Sequence, residues 1–165
     1  MLSKKKAPIT EEQALQKLAA LCSKAEHSSG EMREKMRRWQ LAPDTQERII
    51  GRLTAERYID DARFARLFAR DRLRFAAWGE RKISAALFRK GIDKATADEA
   101  LAQITDEEWL AALRPLIAAK RRTTAAASEY ELNARLMRHA LAHGFPVRLI
   151  MKCLSGDCPE PDGEE

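Results

Sequence analysis

An apolar pattern recurs three times along this chain, at intervals of roughly 50 residues. In each copy, two apolar residues four positions apart are followed by a residue that can end a helix, and then by another apolar residue. The copies are MREKMRRWQL at 32–41, ISAALFRKGI at 83–92 and LMRHALAHGF at 136–145. Gly91 and Gly144 suit the left-handed position after a helix, whereas Gln40 would be strained there or would end its helix differently. Units of this size are marginal as isolated domains, so neighbouring copies should pack against one another.

Helix start signals accompany the repeat. A hydroxyl or carboxylate side chain that can cap a helix precedes most of the predicted helices, and Pro146 suits the first turn of the last one. Together these signals predict about nine short helices and no strand. The capping candidates are Thr10, Ser28, Asp44, Asp60, Asp93, Thr105 and Ser128.

The sequence therefore predicts an all-α protein of three tandem three-helix repeats that form an elongated, curved array. We place module 1 at residues 10–56, module 2 at 58–104 and module 3 at 105–154. The lysine-rich start (1–9) and the acidic, proline-containing end (155–165) are predicted to be flexible tails.

Charge is distributed unevenly along the chain. The formal net charge is +5, but residues 155–165 hold five acids and no base, so residues 1–154 carry a net charge of +10. A basic body favours a polyanionic partner or an acidic protein surface. No apolar run approaches the roughly 20 residues that span a bilayer, and the N-terminus lacks the apolar stretch of a signal peptide. The three cysteines, an odd number, fit a reducing compartment, and we expect the protein to be cytoplasmic. We also expect it to be a monomer.

The basic residues of module 2 fall into a pattern. Residues 63–90 hold nine Lys/Arg and only two acids. At roughly 100° per residue, arginines form one stripe of the helix, and Phe64, Leu67, Phe68 and Phe75 form a neighbouring stripe suited to a core. The stripe could bind phosphates or carboxylates, or it could be an ordinary solvated flank. The candidate binding residues are Arg63, Arg66, Arg70, Arg74, Arg81, Lys82 and Arg89. Basic residues at 33–38 could extend this surface.

Other residue groups have less specific interpretations. His139 and His143 have the spacing of a zinc-binding pair, but without a third ligand, packing between modules is the better interpretation. The three tryptophans are expected to anchor modules to one another, with base stacking as the alternative. We find no catalytic, cofactor or metal motif, and predict that the protein is not an enzyme.

The centre of the chain resembles a known family, the RecX regulatory proteins, which modulate the bacterial recombinase RecA. The resemblance rests on YIDDARFA at 58–65, GERKI at 79–83 and LFRKGI at 87–92, and extends over about residues 10–154. It implies three tandem three-helix repeats, as the periodicity does. It also implies binding to the RecA filament, inhibition of ATP hydrolysis and strand exchange in recombination and DNA repair, and weak, non-specific contact with single- or double-stranded DNA.

Two other functions fit the same basic, helical sequence. One is a stand-alone DNA-binding regulator of the helix-turn-helix type, which should prefer certain DNA sequences. The other is a helical scaffold for an acidic protein partner. Neither requires a cofactor.

Overall fold

The structure, a computed structural model, describes residues 7–156, which form nine α-helices and no strand. The all-α class predicted from the sequence is therefore confirmed for this part of the chain. Most of both predicted tails, including Cys158, lies outside the described residues. The helices are α1 (Glu11–Lys24), α2 (Ser29–Arg38), α3 (Pro43–Ala55), α4 (Asp61–Ala76), α5 (Glu80–Arg89), α6 (Lys94–Ala102), α7 (Asp106–Thr123), α8 (Glu129–Ala142) and α9 (Val147–Leu154).

Most helices begin where the capping residues predict. Thr10, Ser28 and Thr105 each complete a reciprocal capping box, and Asp60 and Asp93 accept hydrogen bonds from main-chain N–H groups of the first turn. These bonds satisfy amides that have no partner within their own helix. Ser128 caps α8, but the Glu131 carboxylate accepts from the Ala127 N–H instead of reaching back to Ser128.

The prediction for Asp44 is wrong. Helix α3 begins at Pro43, two residues earlier than an N-cap at Asp44 would give, and Ala42 is its N-cap. Proline is well suited to the first helical position because its missing N–H would have no partner there and its φ angle is already helical. Asp44 instead lies in the first turn, where its negative charge favours the positive end of the helix.

Four helices end in the same way: α3, where Arg57 is left-handed and the Tyr58 N–H donates to the Leu53 carbonyl, and the three helices of the repeated pattern. The N–H of Leu41, Ile92 and Phe145 donates to the carbonyl five residues back, and the residue before each has a left-handed backbone. Gly91 and Gly144 adopt φ angles of 75° and 95° without steric cost. Gln40 adopts φ 60° in the equivalent position, which costs about 1–2 kcal/mol for a residue with a Cβ. The three copies of the pattern thus share one backbone turn.

Apolar side chains are divided between two cores. Helices α1–α3 bury one cluster, in which Leu18, Met32 and Leu53 are fully buried. Helices α4–α9 bury a second, continuous cluster, in which Trp109 meets Phe145 edge-on at 6.4 Å between ring centroids. The division into three modules remains a prediction from the repeat. The packing joins the helices of the predicted modules 2 and 3 around one core.

One predicted stripe of the core is partly wrong. Phe64 is buried and stacks on Phe68, but Leu67 is 46% exposed and Phe75 is 76% exposed. Helix α4 is covered mainly by α6, with smaller contacts to α5 and α7, and these neighbours leave the side of Leu67 and Phe75 open. No helix between residues 7 and 156 is long and apolar enough to cross a membrane.

A cationic groove as the candidate functional site

A groove runs between α2 on one side and α4 and α5 on the other. Its volume is about 830 Å³. Seven Lys/Arg and two Glu line it, so we call it the cationic groove. The basic residues are Arg33, Lys35, Arg37, Arg38, Arg72, Arg89 and Lys90, and the acidic residues are Glu31 and Glu34.

A close backbone contact places α2 against the end of α5. The Ser28 hydroxyl donates to the Lys90 carbonyl at 2.6 Å. A Cβ added to Gly30 would lie 2.4 Å from that carbonyl oxygen and 2.7 Å from the Gly91 Cα, so only glycine permits this approach. This contact brings the basic residues of α2 to the same groove as Arg89, more than 50 residues away in the sequence.

The two acids of the groove are already paired. Glu31 accepts from the Lys90 ammonium at 2.5 Å and from the Ser28 N–H at 3.1 Å. Burial alone would raise the pKa of Glu31, but these hydrogen bonds outweigh it and the pKa lies below its ordinary value. Glu34 accepts from Arg37 and Arg38, which likewise lower its pKa. Both carboxylates are therefore ionised near neutral pH and bound to neighbouring cations.

Some cations of the groove have no carboxylate partner among the described residues. Lys35, Arg72 and Arg89 belong to this group, whereas Arg33 is paired with Glu47. Because a guanidinium can donate two parallel hydrogen bonds to a phosphate, open arginines on a concave surface favour an anionic ligand.

Aromatic rings line the same groove. The Arg72 guanidinium lies 5.1 Å from the ring centroid of Phe68 and 5.0 Å from that of Trp78. On the same Trp78 ring, the Lys82 ammonium lies 4.7 Å from the centroid. Phe88, at the edge of the groove, is 79% exposed. Cations that track a backbone, together with rings on which bases can stack, are typical of single-stranded nucleic-acid binding.

The structure separates the seven candidate residues of module 2. Arg63 pairs with Glu26 at 2.8 Å, and Arg70 pairs with Glu108 at 2.6 Å, so both have a structural role between helices. Arg66 and Arg74 are exposed on α4 and do not line the cationic groove.

The remaining three candidates lie on α5. Lys82 packs on Trp78, and Arg89 lines the cationic groove. Arg81 is exposed on the other side of Phe88.

Sequence reasoning missed Arg72. It lies off the predicted arginine stripe, but four residues after Phe68, so the i, i+4 spacing of an aromatic and an arginine could have indicated it. The basic run at 33–38 was predicted only as a possible extension, and it supplies four of the seven basic residues of the groove.

The paired histidines lie at a contact between helices. Their rings are 4.8 Å apart, and the His143 Nδ1 donates to the Ala77 carbonyl at 3.0 Å. Within residues 7–156, no group of three metal-ligating side chains comes together.

Comparison with known proteins identifies the family. A family model described as "RecX, second three-helix domain" matches residues 60–101. A regulatory protein RecX from Thermus thermophilus is 32% identical over 106 residues, which cover 64% of this chain and 66% of that protein. The chain belongs to the RecX family.

Other RecX proteins match over different lengths. The regulatory protein RecX of Lactobacillus delbrueckii subsp. bulgaricus is 30% identical over 119 residues, or 72% of this chain. The match covers only 44% of that relative, so the chain spans less than half its length. The crystal structure of RecX from Lactobacillus salivarius has the same fold, with a TM-score of 0.83 at 20% identity over 88% of this chain and 95% of that one.

Proposed function

We propose that this RecX-family protein binds the RecA recombinase filament and inhibits its ATPase and strand-exchange activities in recombination and DNA repair. The observation that carries the proposal is the cationic groove, which combines open cations with the exposed ring of Phe88 and the half-buried rings of Phe68 and Trp78. The relatives named regulatory protein RecX support it. We propose that the protein acts as a monomer in the cytoplasm, without a cofactor.

The groove suggests how such a regulator would engage its target. The net charge of +10 on residues 1–154 attracts the protein to a filament of protein and DNA, which is rich in phosphates. Lys35, Arg72 and Arg89 then contact the DNA backbone, and Trp78 and Phe88 offer surfaces for exposed bases. A rigid body that bridges neighbouring subunits would restrict the motions that couple ATP turnover to strand exchange.

The direct test is the ATPase of RecA on single-stranded DNA as this protein is titrated in. We expect the wild-type protein to lower the rate. The double variant Lys35→Glu/Arg72→Glu should need a roughly tenfold higher concentration, because it reverses two open cations of the groove.

A matched control is Lys24→Glu/Arg122→Glu, which changes the net charge equally at exposed cations outside the groove. Circular dichroism should show that both variants are folded. Equal inhibition by the groove variant and the control would contradict the proposed role of the groove, and no inhibition by the wild-type protein would contradict the proposed function.

DNA binding gives an independent measurement. Binding to single-stranded DNA alone should be weak and insensitive to sequence, and it should weaken as salt increases. The variant Lys35→Glu/Arg72→Glu removes two phosphate contacts. It should therefore reduce the slope of the logarithm of the DNA-binding constant against the logarithm of salt concentration by about 1.4. A strong preference for one DNA sequence would instead favour the stand-alone DNA-binding regulator.

A further inference from the structure

A second groove lies on the other side of Phe88, between α5 and α6 and next to the start of α9. Its volume is about 750 Å³, within the range of ordinary binding pockets. Its lining is mainly carbon, from Ala85, Ile92, Ala97, Leu101 and Pro146, so we call it the apolar groove.

Phe88 separates the two grooves and contributes to both. Its ring is 79% exposed at the surface of α5, although a phenylalanine is normally buried. Aromatic side chains, phenylalanine among them, are enriched at the cores of protein–protein interfaces. The apolar groove therefore has both a concave surface and a projecting anchor.

The charges around the apolar groove point to the character of its partner. The side chains of Arg81 and Arg89 have no hydrogen bond or ion pair to any described residue, whereas Lys94 is bonded to Asp98. Glu80 lies at one end of the groove. Two open guanidinium groups beside a carbon-lined surface match an apolar segment flanked by carboxylates.

The apolar groove and the cationic groove differ in the charges of the residues that line them. Seven basic residues and two already paired acids line the cationic groove, so phosphates suit it better than apolar side chains. The lining of the apolar groove includes three basic residues and two acids around a carbon surface. A nucleic-acid backbone would find two open cations there, one of them shared with the cationic groove, whereas a protein segment could bury apolar area on the carbon surface.

From these observations we propose that the apolar groove is the protein-docking surface of the molecule, and that it binds an acidic, apolar segment of a RecA subunit. The cationic groove would then bind the DNA of the same filament, with Phe88 at the boundary between the two contacts. This inference rests on the proposed function, and it assigns protein and DNA contacts to the two grooves on either side of Phe88, with Phe88 and Arg89 shared between them.

The variant Ala85→Glu tests the assignment. Ala85 is exposed on α5 and lines only the apolar groove. A glutamate there would occupy the apolar surface and lie four residues from both Arg81 and Arg89, so that it could neutralise both. Ala111→Glu is the matched control, since Ala111 is an exposed helical alanine in neither groove.

Two affinities should be measured for each variant: one for RecA filaments assembled on single-stranded DNA with a slowly hydrolysed ATP analogue, and one for the same DNA without RecA. We expect Ala85→Glu to weaken filament binding by about tenfold or more. It should weaken DNA binding much less than Lys35→Glu/Arg72→Glu does, because Arg89 is the one open cation of the cationic groove that it can neutralise. Lys35→Glu/Arg72→Glu should weaken binding to the DNA measured without RecA.

Two results would overturn the assignment. One is filament binding by Ala85→Glu equal to that of Ala111→Glu. The other is a parallel loss of filament and DNA binding by Ala85→Glu. If the wild-type protein bound no filament at all, the proposed function itself would fail, and this inference with it.

Discussion

The first turn of α2 packs against the end of α5, and the first turn of α5 packs against the end of α8 in a similar way. We call these contacts the first and second junctions. Each depends on glycines that allow backbones to approach closely. In the first junction these are Gly30 and Gly91, and in the second they are Gly79 and Gly144, where a Cβ added to Gly79 would lie 2.3 Å from the Gly144 carbonyl carbon.

The two junctions differ in what surrounds that contact. Around the first junction, polar side chains make the bonds: Ser28 to the Lys90 carbonyl, Ser29 to Asp61, and Lys90 to Glu31. The apolar clusters on its two sides are separate.

At the second junction, main-chain groups make most of the bonds. The Gly79 N–H donates to the His143 carbonyl at 2.7 Å, and the Arg81 N–H donates to the Gly144 carbonyl at 3.1 Å. One apolar core runs beneath this contact.

This difference shows that a sequence repeat and a packing unit need not coincide. Three copies of a pattern form two packing units, α1–α3 and α4–α9, joined by a polar contact. The cationic groove spans the polar first junction, so its width depends on bonds that charge and pH can change. The apolar groove lies within α4–α9, and three of its lining residues, Ile92, Ala97 and Leu101, belong to the core of that unit.

Replacing one glycine of each junction by alanine should give the largest change in the free energy of unfolding among the substitutions, at Gly79. The change should also differ most between the two junctions. Gly79→Ala places a Cβ against the main chain of Gly144, directly over the apolar core that α4–α9 share. We therefore expect the free energy of unfolding of α4–α9 to fall by about 3 kcal/mol. Gly30→Ala should push α2 away from α5 and change the free energy of unfolding by less than about 1 kcal/mol, because alanine also favours the helix.

Urea unfolding followed by circular dichroism measures both losses. Gly51→Ala is the control, since no atom lies within 4 Å of a Cβ added there. Equal losses for Gly30→Ala and Gly79→Ala would mean that the two junctions do not differ as described.

Removing Asp61 should have an intermediate effect, confined to the first junction. Its carboxylate accepts from the Ser29 N–H at 2.8 Å and from the Ser29 hydroxyl at 2.5 Å. Ser29 is only 7% exposed, so Asp61→Ala would leave a buried donor unpaired at a cost of about 1–3 kcal/mol. Hydrogen exchange of the Ser29 amide should become faster.

Asp71→Ala serves as the comparison on the same helix, because the Asp71 side chain is exposed and has no hydrogen bond or ion pair to a described residue. If Asp71→Ala accelerated Ser29 exchange as much as Asp61→Ala, the effect would come from lost charge and not from the lost bonds.

Acid should loosen the first junction by a smaller amount. The folded-state pKa of Glu31 lies below its ordinary value of about 4.5, so its ionised form stabilises the folded contact. That stabilisation is fully present above the unfolded-state pKa and is lost as the pH falls below 4.5 through the folded-state pKa. We therefore expect lower protection factors, that is, less slowing relative to the intrinsic exchange rate at each pH, for the Ser28 and Ser29 amides in this acidic range.

The Glu31→Gln variant should show less of this acid dependence, because glutamine does not titrate and its oxygen can still accept from Lys90 and Ser28. Unchanged protection factors of the wild-type protein down to pH 3 would contradict a role for Glu31 in the junction.

Local signals in the sequence were sufficient to predict much of the fold. Capping residues such as Thr10 and Asp60 predict helix starts, because they act on amides two or three residues away. Gly91 and Gly144 predict helix ends for a similarly local reason. The excess of basic residues around α5 was also visible in the sequence.

Contacts between distant segments could not be predicted in this way. The pairing of Arg63 with Glu26, and of Arg70 with Glu108, joins residues 37 and 38 positions apart. Helical periodicity gives the angle between two side chains but not the neighbour that each side of the helix will meet. For this reason Phe75 was expected in the core although it is exposed, and Arg72 was missed although it lines the groove.

Native-state hydrogen exchange of two amides measures the difference between the junctions most directly. The Ser29 N–H is bonded to Asp61 across the first junction, and the Gly79 N–H is bonded to the His143 carbonyl across the second. If α1–α3 and α4–α9 are separate units, Ser29 should exchange through a low-energy local opening, and Gly79 only when the core of α4–α9 unfolds. Equal opening free energies for the two amides would show instead that the described helices form one cooperative unit.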